Sequence, residues 1–279
     1  MITVANFRRG GFCNRLLLYM HCVAYACEYK TKVRIIHDPN VDECFDQGQN
    51  NVLSVVYCPR LLWKIAGEVN EILIFFNHGE EQNVVNIKNK IDSRKSVFIR
   101  TYYFRNNNYL LKHQEKIRLE FSFRDDIKQI AEENYLSAKA VGGDNKIVAV
   151  HMRKGDYREW RGGEFYYSDD EYLVRMHSLL DKESGLHFHI ISNEQVDIEM
   201  IKRKLGTSSV TSSSGNQYED LATLSKMDYI MGPQSTYSAV AAFLGNVPLY
   251  FFERDVEDIN FDMFSWETRF IQIFNGQKK

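Results

Sequence analysis

The chain has 279 residues, of which 44% are hydrophobic and 26% charged, a composition typical of a globular protein with buried cores. Its 35 Lys and Arg residues nearly balance its 37 Asp and Glu residues, and the net charge of -2 argues against a protein that coats nucleic acid. The length predicts two domains of about 130 residues each.

The first 40 residues predict the opening of a doubly wound α/β domain. We expect a buried strand over 2–7, a glycine turn at 10–11, a helix over about 14–30 and a second strand over 32–37. The pattern is less regular from there to residue 135, where we expect strands at 72–76 and 96–99 and a helix over 124–135.

The second half begins after residues 137–145, a small, polar segment with paired glycines that we expect to be a linker. The alternating pattern then resumes, with strands predicted at 146–152, 187–192, 229–231 and 247–252, helices at 169–181, 197–205, 217–226 and 238–244, and a Ser-rich loop at 208–214. Two Rossmann-like domains that face a cleft, 1–140 and 141–279, fit this pattern better than one open sheet.

The cysteines and the N-terminus bear on the compartment. The five cysteines lie within residues 13–58 without a Cys-x-x-Cys pair, which predicts free thiols in a reducing compartment and neither a disulfide framework nor a zinc site. The N-terminus reads as a strand and not as a signal peptide, and no apolar run approaches the ~20 residues that span a bilayer. We expect a cytoplasmic protein with no transmembrane segment.

The strongest motif is His-Met-Arg-Lys-Gly-Asp-Tyr, residues 151–157, at the end of a predicted strand. Ligands of open α/β sheets bind beyond the carboxyl ends of the strands. Arg153 and Lys154, followed by a turn glycine, therefore place positive charge where a diphosphate would lie. The alternative is a surface loop whose charges pair with one another.

Two further segments have the residue types of an anion site. In Gly-Pro-Gln-Ser-Thr-Tyr-Ser, residues 232–238, a short strand leads into a helix, and hydroxyls with free N–H groups at a helix N-terminus favour an anion. Ser235 or Thr236 could equally cap that helix. The Gly-rich turn at 10–15 either brings the backbone close to a sugar or diphosphate or only connects a strand to a helix.

Together these motifs resemble the fucosyltransferase clan that includes the α-1,2- and α-1,6-fucosyltransferases and the protein O-fucosyltransferases. The α-1,2 family's His-x-Arg-Arg-Gly-Asp-Tyr motif is similar to residues 151–157, its Gly-Gly-x-Gly-Asn-Gln turn to 10–15, its Ser-Asn-Asp segment to 192–194, its Asp-Leu-x-x-Met-Ser helix to 220–225 and its Ser-Thr-Phe-Ser-Trp-Trp motif to 235–240. The resemblance is good across 146–246 and thin between 40 and 140.

The resemblance implies a GT-B-like fold and an inverting, metal-independent glycosyltransferase that moves fucose from GDP-fucose to a glycan hydroxyl. It implies a nucleotide-sugar co-substrate, no other cofactor and no nucleic-acid partner. The donor-binding residues that it implies are Gly11, Asn14, Arg15, His151, Arg153, Lys154, Ser192, Asn193, Asp220, Ser235, Thr236 and Ser238.

The sequence departs from the family motifs at several positions. Cys13 replaces a glycine, Arg15 a glutamine, Lys154 an arginine, and Ala239-Val240 two tryptophans. Because lysine keeps the charge of arginine but lacks its bidentate fork, another donor such as a xylosyl nucleotide stays open. A non-catalytic nucleotide-binding module is a second alternative. A phosphoryl-transfer enzyme is disfavoured because the chain has no Gly-x-x-x-x-Gly-Lys-Ser/Thr loop.

No Asp-x-Asp motif stands where a metal–diphosphate site would need one, and Asp169-Asp170 are expected to cap a helix. Arg153, Lys154 and the helix start at 235–238 would then offset the charge of the leaving group.

An inverting displacement also needs a base near the acceptor hydroxyl. The resemblance implies that 1–140 is the acceptor-side domain and that 141–279 binds the nucleotide sugar. Asp38, which ends the second strand of the acceptor-side domain, is one candidate. Asp156, Glu159 and Glu164 flank the phosphate motif and stay open as others, and Asp156 could instead brace its own loop. Glu159 and Trp160 are predicted on the acceptor side, with Trp160 either a sugar platform or packed on its own loop.

Overall fold

The computed structural model describes residues 1–4, 10–36, 38–46, 52–57, 97–99, 104–213 and 215–275. The chain divides into two compact units, Met1–Arg124 and Asp125–Lys279. Each unit has a parallel sheet accompanied by helices, as the alternating sequence pattern predicts.

The first unit contains a sheet of four described strands in the order β3-β2-β1-β4. The strands are β1 (Ile2–Val4), β2 (Val33–Ile36), β3 (Leu53–Val56) and β4 (Val97–Ile99), and the helices are α1 (Phe12–Glu28), α2 (Pro39–Cys44), α3 (Asn107–Lys112) and α4 (Gln114–Glu120). Helix α1 is buried over almost its whole length, which explains its apolar sequence on every face.

The second unit contains a five-stranded sheet in the order β7-β6-β5-β8-β9, with every pair parallel. Its elements in chain order are α5 (Asp125–Gly142), β5 (Lys146–Met152), α6 (Asp169–Lys182), β6 (Leu186–Ser192), α7 (Ile198–Leu205), β7 (Val210–Ser212), α8 (Gln217–Lys226), β8 (Tyr229–Gly232), α9 (Thr236–Gly245), β9 (Leu249–Phe251) and α10 (Trp266–Asn275). The central strands β5 and β6 are buried on both faces.

Two glycines permit close packing around β8 and α9. A Cβ added at Gly232 would lie 2.5 Å from the carbonyl oxygen of His151, so the end of β8 approaches β5 only without a side chain. A Cβ at Gly245, the last residue of α9, would lie 1.9 Å from the carbonyl oxygen of Ser225 on α8. The first approach brings the end of β8 close to β5, and the second brings the end of α9 close to α8.

Some predicted elements require correction. Residues 137–142 are the last turns of α5 and not a linker, and the units divide after Arg124 instead of at 140, because α5 packs against the sheet and α8 of the second unit. The Ser-rich segment 208–214 contains β7. Helices α2, α3 and α4 were not predicted, since six or seven residues give little periodicity. The strand predicted at 72–76 lies outside the described residues.

Among the described residues, no helix combines the length and apolar character that crossing a membrane requires.

Candidate active site

Arg153 stands just beyond the end of β5, where the sequence predicts positive charge. Its guanidinium lies 2.9 Å from the carboxylate of Asp156 and is stacked over the ring of Tyr157, 5.4 Å from the ring centroid. The Arg153 side chain is 32% exposed and that of Asp156 59%. The two charges pair within their own loop, yet solvent reaches both, so a ligand with more negative charge can compete for the guanidinium.

Lys154 points elsewhere. Its ammonium donates to the carbonyl oxygen of Tyr167 at 2.8 Å and lies 2.7 Å from the carboxylate of Asp169, and the side chain is only 6% exposed. It also lies over the ring of Tyr172, 4.8 Å from the centroid. The lysine thus closes the 154–169 loop, which leaves Arg153 as the accessible cation of the motif. The predicted contact of Lys154 with the donor stays a prediction.

The turn after Arg153 is held by residues that follow β6. Asn193 accepts a hydrogen bond from the backbone N–H of Lys154 at 2.8 Å, and Glu194 accepts one from Gly155 at 3.1 Å. Gly155 has a φ of 39°, and a Cβ there would lie 2.7 Å from the Asn193 amide nitrogen. Ser192 in turn accepts from the N–H of Glu194 at 3.2 Å. In this structure the predicted donor residues Ser192 and Asn193 therefore support the turn that follows Arg153.

His151 and Ser238 tie β5 to α9. The His151 Nδ1 lies 2.6 Å from the Ser238 hydroxyl oxygen, and both residues are buried. Burial, together with the charge of Arg153, lowers the pKa of His151 to about 3, so the imidazole is neutral near pH 7. Both predicted donor residues lie beneath the site surface and hold its two halves together.

The N-terminus of α9 follows β8, the strand beside β5. Ser235 is the N-cap: its hydroxyl oxygen accepts a hydrogen bond from the N–H of Tyr237 at 3.2 Å. Capping, one of the two interpretations of Ser235, is confirmed. Thr236 is half-buried, and within the described part of the chain its hydroxyl has no hydrogen-bond partner. Thr236 is therefore the hydroxyl of this segment that is available to a ligand.

Asp220 lies in the first turn of α8, beyond the end of β7. Its carboxylate accepts a hydrogen bond from the N–H of Gly215 at 3.1 Å. Burial raises its pKa to about 7, and the negative charge of Glu219 acts in the same direction. A half-buried carboxylate with a raised pKa that lies beyond the carboxyl end of a strand is a functional candidate.

The loop after the phosphate motif carries Trp160, which is 44% exposed. Its ring is stacked on Tyr157 at 5.1 Å between centroids and also contacts Phe165 at 5.2 Å, while the Arg161 guanidinium lies 5.2 Å from its centroid. Trp160 thus packs on its own loop, and its use as a sugar platform stays a prediction. Glu159 and Glu164 are exposed on the same loop.

Arg254 supports this loop and was not predicted. It donates to the carbonyl oxygens of Gly163 and Glu164, each at 2.9 Å, and pairs with Glu171 at 2.9 Å. The arginine follows β9, far along the chain, so the sequence carries no local signal for this contact. Tyr157, also absent from the predicted site residues, belongs to the motif itself.

In the first unit, Arg15 and Asp38 form a buried ion pair. The Arg15 Nε lies 2.7 Å from Asp38 Oδ2, the same oxygen accepts from the Tyr19 hydroxyl at 2.7 Å, and Arg15 also donates to the carbonyl oxygen of Gly10 at 2.8 Å. Asp38 is 2% exposed. A general base must reach the acceptor hydroxyl, so this geometry argues against that role for Asp38.

Gly11 and Asn14, the other predicted donor residues of this unit, stand at the same turn. Gly11 is exposed and is the N-cap of α1, whereas Asn14 is half-buried in its first turn. Gly10, just before them, has a φ of 79°, the left-handed region that favours glycine. The turn leads into α1, in agreement with one of its two interpretations, and its contact with a donor stays a prediction.

Within the described ranges, no group of three or more His, Cys, Asp or Glu side chains is placed to hold a metal ion. Asp169 and Asp170 begin α6, but the cap is Ser168, which accepts from the N–H of Glu171 at 3.3 Å while the Glu171 carboxylate accepts from the N–H of Ser168 at 2.7 Å. The expectation that the aspartates cap this helix was wrong.

Parallel sheets in two units, with a guanidinium and a helix N-terminus at neighbouring strand ends, fit a GT-B glycosyltransferase. The profile of Glycosyl transferase family 11 matches residues 82–267, and the chain belongs to this family. The protein is therefore a glycosyltransferase, and its resemblance to the fucosyltransferase clan is confirmed. No curated protein sequence matches the chain.

Solved structures with the same fold include three fucosyltransferases. A mutant of Arabidopsis thaliana FUT1 in complex with GDP is 11% identical with a TM-score of 0.60, over 91% of this chain and 70% of that one. POFUT1 in complex with GDP-fucose is 14% identical with a TM-score of 0.57, over 90% and 97%. Fucosyltransferase NodZ from Bradyrhizobium is 12% identical with a TM-score of 0.54, over 90% and 95%. At these identities the likeness shows the GT-B fold.

Proposed function

We propose that the protein transfers fucose from GDP-fucose to a hydroxyl group of a glycan, with inversion and without a metal ion. Family membership supports the glycosyl transfer, and the bound GDP or GDP-fucose of the structural neighbours supports the donor. The observation that carries the proposal is the accessible guanidinium of Arg153 at the end of β5, beside the strand that leads into the N-terminus of α9.

The donor diphosphate would lie along this sheet edge. Arg153 offers a planar, permanently charged group that can pair with two phosphate oxygens. The first N–H groups of α9 and the Thr236 hydroxyl offer further hydrogen bonds, and the helix dipole favours negative charge at this end. Asp220, at the start of α8, is proposed to contact the nucleotide.

In the reaction, the bond from the anomeric carbon of the sugar to the diphosphate breaks as the acceptor oxygen attacks from the opposite face. The departing diphosphate gains negative charge, which Arg153 and the α9 N-terminus are positioned to stabilise without reorganisation. Asp156 accepts a hydrogen bond from the Arg153 guanidinium at 3.0 Å. We propose that it orients this guanidinium and does not itself contact the substrate.

The acceptor hydroxyl must lose its proton to a base. Asp38 is disfavoured by its burial and its ion pair with Arg15. Asp156, Glu159 and Glu164 are all exposed on the loop beyond Arg153, but Asp156 is paired with Arg153, so the two glutamates are the favoured candidates. Their variants Glu159→Gln and Glu164→Gln should separate them, because loss of the base lowers kcat while nucleotide affinity stays unchanged.

A panel of nucleotide sugars tests the donor. GDP-fucose, GDP-mannose and UDP-xylose are compared by thermal shift and by transfer to a glycan panel, with GDP and UDP as controls. A bound nucleotide stabilises the folded state by about 2.7 kcal/mol at 100 times its Kd. Selective stabilisation by GDP and GDP-fucose with fucosyl transfer supports the proposal. Preference for UDP-xylose would overturn the proposal that GDP-fucose is the donor. Nucleotide binding with neither transfer to any glycan nor hydrolysis of the nucleotide sugar would overturn the proposal that the protein is an active transferase.

Chelation tests the metal requirement. Transfer in excess EDTA should proceed at the rate seen in untreated enzyme. Activity that EDTA removes and manganese or magnesium restores would overturn the metal-independent mechanism. The cytoplasmic location and the lack of any further cofactor stay predictions.

A further inference from the structure

Tyr157 links the two segments of the proposed diphosphate site. Its ring is 8% exposed, and its hydroxyl donates a hydrogen bond to the carbonyl oxygen of Gln234 at 3.0 Å. Gln234 directly precedes Ser235, the residue whose hydroxyl caps α9. A residue of the loop that follows β5 is therefore hydrogen-bonded to the residue that precedes the N-cap of α9.

The ring of the same tyrosine carries Arg153. The guanidinium carbon lies 5.4 Å from the ring centroid, a distance at which a cation is attracted by the aromatic face. Trp160 stacks on the same ring at 5.1 Å between centroids, which adds a second contact that holds the ring in place. Tyr157 thus contacts the cation through its ring and the helix start through its hydroxyl.

We propose that Tyr157 is a positioning residue, which holds Arg153 and the first turn of α9 at one spacing so that both contact the same diphosphate. The inference rests on the proposed function, because it assumes that a nucleoside diphosphate binds at this sheet edge. A site whose groups are already spaced for the ligand loses less conformational entropy on binding than one that must assemble around it. The hydroxyl of Tyr157 therefore raises nucleotide affinity although the side chain is buried.

The variant Tyr157→Phe removes the hydroxyl and keeps the ring under Arg153. We expect the Kd for GDP, measured by calorimetry, to rise about tenfold, the effect of one lost hydrogen bond that positions the site. The matched control is Tyr167→Phe. Tyr167 is also buried, at 2% exposure, and its hydroxyl donates to the carbonyl oxygen of Phe252 at 3.1 Å, away from α9. The control should bind GDP as the wild type does.

A double-mutant cycle separates positioning from a general loss of structure. If the hydroxyl acts through the α9 start, the effect of Tyr157→Phe on the Kd should shrink several-fold when Thr236→Ala is already present. Two strictly additive effects would overturn the proposal, as would an unchanged Kd in Tyr157→Phe. A wild type that binds neither GDP nor any other nucleoside diphosphate would instead overturn the proposed function, and this inference with it.

Should Tyr157→Phe fail to fold, hydrogen exchange on the wild type tests the same claim. GDP should slow the exchange of the backbone amides of both 153–157 and 236–239. The GDP concentration that gives half-maximal protection should be the same for the two segments. Protection of only one of these segments would show that the diphosphate does not bridge them and would overturn the proposal.

Discussion

Arg15 and Asp38 form an ion pair in which the Arg15 Nε lies 2.7 Å from Asp38 Oδ2 and the two side chains are only 6% and 3% exposed. The pair joins α1 to the segment that follows β2. Breaking a buried pair by removing one partner leaves an uncompensated charge and commonly costs about 3–5 kcal/mol. We therefore expect the pair to stabilise the first unit and not to take part directly in catalysis.

Asp38→Asn should lower the urea midpoint of the first unit's unfolding, because the guanidinium of Arg15 loses its counter-charge. Adding Arg15→Gln to the same chain should restore part of the loss, since the unpaired charge is then removed. Urea titrations of the wild type, the single variant and the double variant measure this. An unchanged midpoint together with a strongly reduced kcat would instead identify Asp38 as the base.

Arg153→Ala should weaken GDP binding by about 1.5–3 kcal/mol, the range for hydrogen bonds to a charged group, while the fold is retained. Arg153→Lys should fall between this variant and the wild type, because lysine keeps the charge but loses the bidentate fork. Arg203→Ala, at an exposed position of α7, is the control. Calorimetry with GDP gives the affinities, and wild-type affinity in a folded Arg153→Ala protein would remove Arg153 from the site.

Ser235→Ala and Thr236→Ala should differ although the residues are adjacent. The Ser235 hydroxyl caps α9, so its loss should cost stability of about 1 kcal/mol. Among the residues that the structure describes, none bonds to the Thr236 hydroxyl, so Thr236→Ala should leave the melting temperature nearly unchanged and weaken GDP binding by about 1–3 kcal/mol. Thermal unfolding and GDP titration of both variants are the measurements. Equal nucleotide affinity in Thr236→Ala and wild type would contradict a phosphate contact.

His187 and His189 form a buried ladder with hydroxyl groups of the neighbouring strand β7. The Nε2 of His187 and the Nδ1 of His189 lie 2.7 and 2.9 Å from the Thr211 hydroxyl oxygen. Burial is the main cause that lowers the pKa of each imidazole from 6.5 to about 4, with smaller effects of Lys139 on His187 and of His187 on His189. The unfolded chain therefore binds protons more tightly than the folded one.

Because the pKa of each imidazole is lower in the folded chain, the free energy of unfolding falls as the pH falls from about 6.5 to about 4. The full stabilisation by the neutral histidines is present above about pH 6.5. His189→Gln should flatten the dependence of the unfolding free energy on pH by up to about 1.4 kcal/mol per pH unit between these two pH values. Urea unfolding at several pH values measures the slope, with the exposed His177→Gln as the control. A slope in His189→Gln equal to that of the wild type would contradict the assignment.

The part of the site that could be predicted follows from one rule, that ligands of open α/β sheets bind beyond the carboxyl ends of the strands. Arg153 follows β5 and Ser235 follows β8, and β5 and β8 are parallel neighbours, so their carboxyl ends meet at one sheet edge. The strand β5 was predicted with its observed bounds because seven residues of nearly continuous apolar character carry a clear signal. The short helices α2, α3 and α4 carry no such signal and were missed.

By itself, the sequence determined most strands and helices of the second unit and the positions at which charged and hydroxyl residues follow β5 and β8, because hydrophobic periodicity and strand ends are local properties. It did not predict the short strands β3 and β7 or the helix α10. Only the tertiary structure decided which partner each polar side chain has. Lys154 pairs with Asp169, and Asp38 with Arg15. A charged side chain that is buried needs a partner, and that partner is supplied by whichever segment the packing brings close, a property that no local pattern encodes.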